Sequence, residues 1–327
     1  MKGRKENEEK KLKKLEQEIE NKSLYIKKYY YTLDNKSYTT KEVYINYVMD
    51  FIDFIKDKLN LDVSNVNCFN EVKKSDIDFY LAELDGKTSI KRCRLYGIKS
   101  FFKFLEDDEY IITNPCTKVS APKEKEEHAI TSLTKEEIAI VKRNIFDGCG
   151  SSRAKATQRK WKTRDYAIVM LGLSLGLRVT SLTEINLEDI NFSTQKITIV
   201  EKGNKTRTIS FSDNIKNVLL DWIEDREIIL GYELDRVDAL FISNRHTRIT
   251  SRGIENLVAK YTYNIDKHIT PHKLRSTCAT NVYNKTGDIY LTADVLGHSN
   301  IANTRRYAQI SEERKKKAAQ AMDDILF

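Results

Sequence analysis

The second half of this chain contains the residue types best suited to chemistry, and the first of them is an arginine. Arg178 follows an apolar run in LGLSLGLRVTSL. A guanidinium is always charged, so an arginine beside core-forming residues needs an anionic partner. That partner is either a phosphate or a carboxylate such as Glu184 or Asp189. Arg178 therefore indicates either an anion-binding site or a structural ion pair.

A histidine and a second arginine share one helix face further along the chain. His272 and Arg275 in PHKLR are three positions apart, just after Pro271. This spacing puts both side chains together near the positive end of the helix dipole, an arrangement that suits two oxygens of one phosphate. His298 in LGHS and Tyr307 in NTRRY follow, with room between them for a turn and a new helix. The pattern predicts a phosphate site with a phenol presented beside it.

Two predicted strands interrupt the helical pattern that positions these residues. Residues 196–200 and 206–212 alternate in polarity around the turn 201–205, which predicts a β-hairpin with Lys202 at its tip. Helices are predicted around it, over residues 135–145, 214–230, 251–261, 272–283 and 288–297. Thr134 and Glu137 form a capping box for the first of them. The tail 311–327 predicts a final helix with an apolar end.

The first half of the chain predicts a bundle of helices, one of them strongly basic. The pattern becomes helical near Leu24, a capping box at Thr39 and Glu42 precedes a second helix, and further helices are predicted over 75–84 and 89–105. The last of these has no acidic residue within it. Its cations either contact DNA, which we favour, or form an ordinary solvated surface. The candidate contacts are Lys91, Arg92, Arg94 and Lys99.

A second basic stretch lies between Gly150 and Arg164, again without an acidic residue. It predicts a phosphate-contacting loop, with a disordered basic loop as the alternative. The candidates here are Arg153, Arg159 and Lys160, to which the hairpin turn adds Lys205.

Composition agrees with a helical protein that binds a polyanion. The chain has 327 residues, 56 basic and 48 acidic, for a net charge of +8 and a pI near 9.0. Only 12 glycines and 3 prolines are present, and the hydrophobic fraction of 40% supports a core, which excludes collagen-like, mucin-like and disordered classes. The longest apolar run, 167–177, is too short to span a membrane. Five scattered cysteines predict reduced packing residues, and the start of the chain has no secretion signal, which favours the cytoplasm.

Four segments are expected along the chain. Residues 1–22 alternate Lys and Glu, which predicts a charged extension unable to anchor a core. A helical domain is expected over 23–119, a polar linker with prolines over 120–132, and a second domain over 133–327.

Six residues in order resemble the signature of the tyrosine recombinases, the phage integrase family. They are Arg178 in LGLR, Lys202 in EKGNK, His272 and Arg275 in HKLR, His298 in LGHS, and Tyr307. The resemblance covers the chain from about residue 24 onward, and three positions depart from the common pattern: Ser181, Glu201 and Ser276. It implies a mainly α fold with a small β-sheet, made of a helical core-binding (SAM-like) domain and a mixed α/β catalytic domain.

The resemblance also implies a mechanism without a metal or other cofactor. Tyr307 would attack the scissile phosphate to form a 3′-phosphotyrosyl enzyme, while Arg178, Arg275 and His298 hold the transition-state oxygens. His272 would assist proton transfer, and Lys202 would protonate the leaving 5′-oxygen, with Lys205 as the alternative acid.

The implied partner is double-stranded DNA with inverted half-sites, bound by a homotetramer that resolves a Holliday junction. A related recombinase or an accessory protein could join it, and the last helix would dock on a neighbouring protomer or fold back in cis. No large further domain is expected before residue 24, which favours a simple Xer-like or mobile-element enzyme. Two alternatives are a catalytically silent, architectural DNA-binding protein and a type IB topoisomerase-like strand transferase.

Overall fold

The computed structural model describes residues 12–122, 131–200, 206–298 and 300–307, and of residues 235 and 236 it describes only the backbone. The chain divides into two compact units, Met1–His128 and Ala129–Phe327. The described residues are mainly helical and include one small sheet, as the sequence predicted. No helix among them is both long and apolar enough to cross a bilayer.

The first unit is a bundle of helices. Its elements are α1 (12–20), α2 (Leu24–Thr32), α3 (Tyr38–Leu59), a 3-10 turn (Val66–Asn70), α4 (Lys74–Glu83) and α5 (Thr88–Asp107). The core lies between α3 and α5, where Phe51 meets Phe102 edge to face with ring centroids 5.9 Å apart. Gly97 allows the two helices to approach, because a Cβ there would lie 3.3 Å from Tyr47 Cβ.

Two expectations about the start of this unit are wrong. Leu15 and Ile19 on α1 are each only 4% exposed and belong to the core of the unit, so the described part of the charged extension does anchor a core. Their i,i+4 spacing places both on one face, which is enough to bury a short apolar stripe. Helix α3 also begins at Tyr38 after Ser37, earlier than the predicted cap at Thr39.

The second unit holds the sheet and most of the helices. Its helices are α6 (Lys135–Asp147), α7 (Ser152–Arg159), α8 (Lys162–Leu175), α9 (Val179–Glu184), α10 (Asp213–Leu230), α11 (Ser251–Tyr261), α12 (Pro271–Thr286), α13 (Ile289–Leu296) and α14 (Ala302–Arg305). The antiparallel sheet has the order β1 (Ile190–Asn191), β2 (Lys196–Val200) and β3 (Thr206–Ser210). The predicted hairpin is therefore confirmed, and Thr134 with Glu137 forms the predicted capping box of α6.

Helix α8 is the centre of this unit. It packs against α10 and α12, and its buried residues lie on every side, as expected of a helix enclosed by others. The helix ends at Gly176, whose φ of 59° lies in the left-handed region. Chain reversal at this glycine delivers Arg178 to the N-terminus of α9.

Four of the five cysteines pack inside the protein. Cys68, Cys116, Cys149 and Cys278 are buried. Cys93 on α5 is exposed, so the expectation of a packing role is wrong for that residue.

Candidate active site

Arg275 is held in place by backbone carbonyls from two helix ends. It lies on the first turns of α12, and only 2% of its surface is exposed. Its Nη1 donates to the carbonyl oxygen of Gly176 at 2.6 Å, and its Nη2 donates to that of Leu296 at 2.5 Å. These two carbonyls belong to the turns that end α8 and α13. The guanidinium plane is therefore fixed by two helix ends before any ligand binds.

Glycine at position 176 brings these helix ends together. A Cβ at this position would lie 2.8 Å from Leu296 Cδ2 and 3.3 Å from Cys278 Sγ, so a larger residue collides with a buried side chain. Its left-handed φ disfavours other residues as well. Arg178 follows two residues later as the N-cap of α9 and is half-buried.

His298 and Tyr307 are joined through Thr304. The Nδ1 atom of His298 lies 2.9 Å from the Thr304 hydroxyl oxygen, and the Thr304 carbonyl accepts the backbone N–H of Tyr307 at 2.9 Å. The rings of His298 and Tyr307 are stacked, with centroids 6.5 Å apart and planes 19° from parallel. Thr304 is fully buried and Tyr307 is 4% exposed. The threonine thus fixes both the imidazole and the turn that carries the phenol.

The positive charges of Arg275 and Arg178 both act on His272 and His298, so these predicted residues lie close to one another. Partial burial, followed by the positive charges of Arg275 and Arg178, lowers the pKa of His298 to about 4. Removal of part of the ring from water, followed by the charge of Arg275, also lowers the pKa of His272, although this residue keeps an exposed surface. Both imidazoles are therefore neutral at pH 7, while the arginines stay charged. The cluster attracts an anion and offers uncharged N–H donors to it.

The structure thus brings together Arg178, His272, Arg275, His298 and Tyr307, which the sequence separates widely. Lys202 and Lys205 lie outside the described residues. Of the two carboxylates considered for Arg178, Asp189 accepts the backbone N–H of Asn186 at 2.8 Å as a cap. Among the described residues, no three His, Cys, Asp or Glu side chains converge as metal ligands.

Two of the positions that depart from the family pattern are described, and both are buried serines. Ser181 is 1% exposed, and its hydroxyl lies 3.5 Å from the Val200 carbonyl, between α9 and β2. Ser276 is 4% exposed on α12, next to Arg275.

The basic residues on α5 that were predicted to contact DNA also have partners inside the first unit. Arg94 donates to Asp50 at 2.5 Å and to the Tyr80 hydroxyl at 2.8 Å. The Nζ of Lys99 donates to the Val119 carbonyl at 2.7 Å. These contacts hold α5 to neighbouring elements. On the same helix, the Nζ of Lys91 lies 3.5 Å from the Ala82 carbonyl oxygen, and Arg92 is the fourth candidate.

The basic stretch after Gly150 is a helix, and the expected loop is wrong. The Ser151 hydroxyl accepts the Ala154 N–H at 3.3 Å and starts α7. Arg164 is 6% exposed, pairs with Asp165 at 2.7 Å and donates to the Ile242 carbonyl at 2.8 Å, so it serves the core. The three DNA-contact candidates of this stretch are exposed: Arg153, Arg159 and Lys160, the last of which lies over the Trp161 ring.

Sequence reasoning did not single out Thr304, Arg207 or Gly176. The NTRRY motif contains Thr304, but nothing in the sequence pairs it with His298, six residues earlier. The glycine carried a weak signal, since glycine is common where a helix ends. Arg207 lies on β3 and donates to the end of α13, a contact between distant parts of the chain.

Comparison with known proteins agrees with this geometry. The phage integrase family model matches residues 152–314, and the model of the phage integrase N-terminal SAM-like domain matches residues 27–112. The tyrosine recombinase XerC of Bacillus pumilus (strain SAFR-032) is 28% identical over 281 residues, which cover 84% of this chain and 87% of that protein. The tyrosine recombinase XerS of Streptococcus pyogenes serotype M5 is 30% identical over 254 residues, 71% of this chain and 70% of that one.

A solved structure shares the fold. The XerH site-specific recombinase bound to its palindromic difH substrate has a TM-score of 0.66 and 18% identity, covering 88% of this chain and 81% of that one. Together the matches define a tyrosine recombinase, an enzyme of site-specific DNA recombination. The chain belongs to the phage integrase family, which confirms the resemblance read from its six signature residues.

Proposed function

We propose that this enzyme cleaves and rejoins duplex DNA through a 3′-phosphotyrosyl intermediate, with Tyr307 as the nucleophile. The observation that carries the proposal is the stacking of Tyr307 on His298, an imidazole that is joined to the tyrosine turn through Thr304 and lies within the electrostatic influence of Arg275 and Arg178. A phosphodiester under attack by an oxygen nucleophile gathers negative charge on its nonbridging oxygens. Fixed cations and N–H donors around those oxygens are what the reaction requires.

The chemical step exchanges one phosphoester bond for another. The Tyr307 oxygen forms a bond to the scissile phosphorus, and the bond from phosphorus to the 5′-oxygen breaks. The phenol loses its proton with the help of His272, and the departing 5′-oxygen gains one from Lys202. Rejoining runs in the opposite direction with a 5′-hydroxyl as nucleophile. The covalent ester conserves the bond energy, so this step needs no nucleotide cofactor.

Arg178, Arg275 and His298 stabilise the transition state in this scheme. A guanidinium has five N–H donors, and the carbonyl contacts of Arg275 orient its plane before DNA arrives. When the Thr304 hydroxyl donates to Nδ1 of His298, the proton of this neutral ring lies on Nε2 and is available to a phosphate oxygen. A preorganised donor set of this kind commonly contributes about 10²–10³-fold to the rate for each donor.

A nicked suicide duplex tests the nucleophile, because loss of the short strand traps covalent protein. Tyr307→Phe should form no covalent complex yet bind DNA as the parent does. Tyr290→Phe is the matched control, since that tyrosine is 75% exposed and carries no role here. Covalent complex from Tyr307→Phe would refute the assignment. Binding without cleavage by the parent would favour an architectural protein, and site-independent relaxation of supercoils would favour a topoisomerase-like activity.

Lys202 is proposed as the general acid, with Lys205 as the competing candidate. Lys202→Ala should cleave normal DNA slowly and recover on a 5′-bridging phosphorothioate, whose thiolate leaves without protonation. Lys205→Ala is the matched control. If the phosphorothioate restores cleavage by Lys205→Ala and not by Lys202→Ala, Lys205 is the general acid.

DNA binding is proposed for basic residues in both units. The candidates are Lys91 and Arg92 on α5, and Arg153, Arg159 and Lys160 on or just after α7. Replacing any one cation that binds a phosphate should reduce the slope of the salt dependence of DNA binding by about one. Arg252→Ala is the control, since this exposed arginine pairs with Glu255 and is not among the candidates.

The assembly is proposed to be a homotetramer on two paired sites with inverted half-sites, acting through a Holliday junction in the cytoplasm. A related recombinase or an accessory protein is an optional member. The domains would be 23–119 and 133–327, joined by the linker 120–132. Deletion of residues 315–327 should impair tetramer formation on DNA if the last helix docks on a neighbour. Unchanged tetramers would reject docking in trans.

A further inference from the structure

Arg207 connects strand β3 to the end of helix α13, two parts of the second unit that lie next to proposed site residues in the sequence. It lies on β3 opposite Ile199, in the second residue pair from the turn 201–205. Its Nη1 donates to the carbonyl oxygens of Asp294 and Val295, both at 3.0 Å. These carbonyls belong to the last turn of α13. The contact therefore bridges the hairpin and the helix that leads to His298.

The end of α13 is a favourable place for this guanidinium. The last carbonyls of a helix have no partner within the helix and carry the negative end of its dipole. At this end, Gly297 N–H also reaches the Asp294 carbonyl at 2.9 Å, and His298 N–H reaches that of Ala293 at 2.9 Å. Arg207 therefore binds the same turn that sets the backbone of His298. Its charge also contributes, after those of the other site cations, to the lowered pKa of His298.

We propose that Arg207 is a positioning residue for strand cleavage, which holds strands β2 and β3, the two strands on either side of Lys202 in the sequence, against the end of α13 that leads to His298. The inference rests on the proposed function, in which Lys202 in that turn protonates the leaving group. Val200 and Thr206 form the last strand pair before the turn. A displacement at Arg207 therefore reaches this pair, which borders residues 201–205 in the sequence, over one strand step of about 3.3 Å.

This role differs from that of an arginine that only stabilises the fold. Arg248 is the matched comparison in the same unit, because it donates to the Thr183 carbonyl at 2.8 Å and to Asn186 Oδ1 at 2.5 Å. Neither partner belongs to the hairpin or to α13. Loss of Arg248 should reduce the stability of the fold, and its effect on the cleavage rate should not depend on which leaving group the substrate has.

Single-turnover cleavage of suicide duplexes tests the inference. On a normal phosphate, Arg207→Ala should be slower than the parent by about 10–100-fold, the loss expected when a catalytic group is misplaced by about 1 Å. On the 5′-bridging phosphorothioate it should come within about threefold of the parent, because proton donation is no longer needed. On the normal phosphate, the cleavage rate of Arg207→Lys should lie between those of the parent and Arg207→Ala, because an ammonium keeps the charge but lacks the planar fork. Any loss in Arg248→Ala should be equal on both substrates.

Normal cleavage by Arg207→Ala would overturn the inference, and so would an equal loss on both substrates when Lys202→Ala is rescued. A second readout does not depend on which lysine is the acid. Hydrogen exchange in Arg207→Ala should quicken in the peptides 196–210 and 289–298 together, and unchanged exchange there would also overturn it. If Lys202→Ala is not rescued by phosphorothioate, the acid assignment fails, the substrate comparison no longer applies to Arg207, and the exchange result alone decides its positioning role.

Discussion

Gly176→Ala is the substitution with the most direct consequence for the site. Gly176 ends α8 with a φ of 59°, and its carbonyl accepts the Nη1 hydrogen bond of Arg275. An added methyl group would lie 2.8 Å from Leu296 Cδ2. Leu296 is fully buried and lies two residues before His298, so it cannot swing into solvent to make room. The strain therefore falls between Arg275 and His298, two of the three groups proposed to bind the phosphate.

The magnitude follows from two terms. The left-handed backbone costs a residue with a Cβ about 1–2 kcal/mol. Overpacking against a buried leucine adds about 1–3 kcal/mol, for a total of about 2–5 kcal/mol. In a unit of the size of Ala129–Phe327, each kcal/mol lowers Tm by about 2–4 °C. We therefore expect Tm to fall by roughly 4–20 °C.

Gly150→Ala separates the two terms. Gly150 also has a positive φ, 83°, but a Cβ there meets only Ala154 Cβ at an ordinary 3.8 Å. Thermal unfolding should show a smaller loss in Gly150→Ala, and covalent trapping at a temperature where both variants are folded should show a cleavage defect only in Gly176→Ala. Equal losses of Tm would refute the collision with Leu296. Full cleavage by folded Gly176→Ala would refute the link between this turn and the site.

Three further outcomes follow from the described contacts. Thr304→Val keeps the buried shape but removes the hydroxyl beside His298, so the cleavage rate should fall about tenfold while the free energy of unfolding changes by about 1 kcal/mol. Thr304→Ser keeps a hydroxyl and should restore cleavage. Full activity in Thr304→Val would exclude the positioning role of this hydroxyl. The unfolded chain protonates His298 near its ordinary pKa of 6.5 and the folded chain at about 4, so folding loses stability as pH falls through that window. Histidine NMR should place this midpoint near 4, and a midpoint above 6 would contradict the described environment. Ile19→Ala should cost about 2–4 kcal/mol in urea unfolding, whereas a solvated extension would lose almost nothing.

Five of the nine described helices of the second unit, and its hairpin, were predicted from the sequence because their signals are local, whereas α7, α8, α9 and α14 were not. The β2–β3 hairpin and the capping box of α6 come from contacts between residues close in sequence. The predicted helices end within three residues of those observed, since 3.6-residue periodicity records which face is buried. The candidate site residues were proposed because six of them in order resemble the tyrosine recombinase signature, although each short motif alone is weak.

The basic residues were less predictable, because a cation's partner is often remote in sequence. Arg94 finds Asp50, 44 positions away, and Arg164 finds the Ile242 carbonyl, 78 positions away. A charge pattern shows that no acidic residue is nearby in sequence, but it does not show which carbonyl or carboxylate the fold brings close. The prediction that the charged stretch around α1 cannot anchor a core was wrong for a related reason. Two apolar residues suffice when a preformed core offers a surface to cover.

The sequence by itself determined the family of this recombinase and the residues proposed to bind phosphate and to attack it, together with the β-hairpin and the helix that carries His272 and Arg275. Only the tertiary structure decided how those residues are held. Arg275 rests on carbonyls from two helix ends, one of them 99 positions away, and Thr304 joins His298 to the tyrosine turn. Backbone carbonyls are the same in every residue and leave no mark on composition or spacing. Their role as anchors exists only once α8, α12 and α13 have packed together.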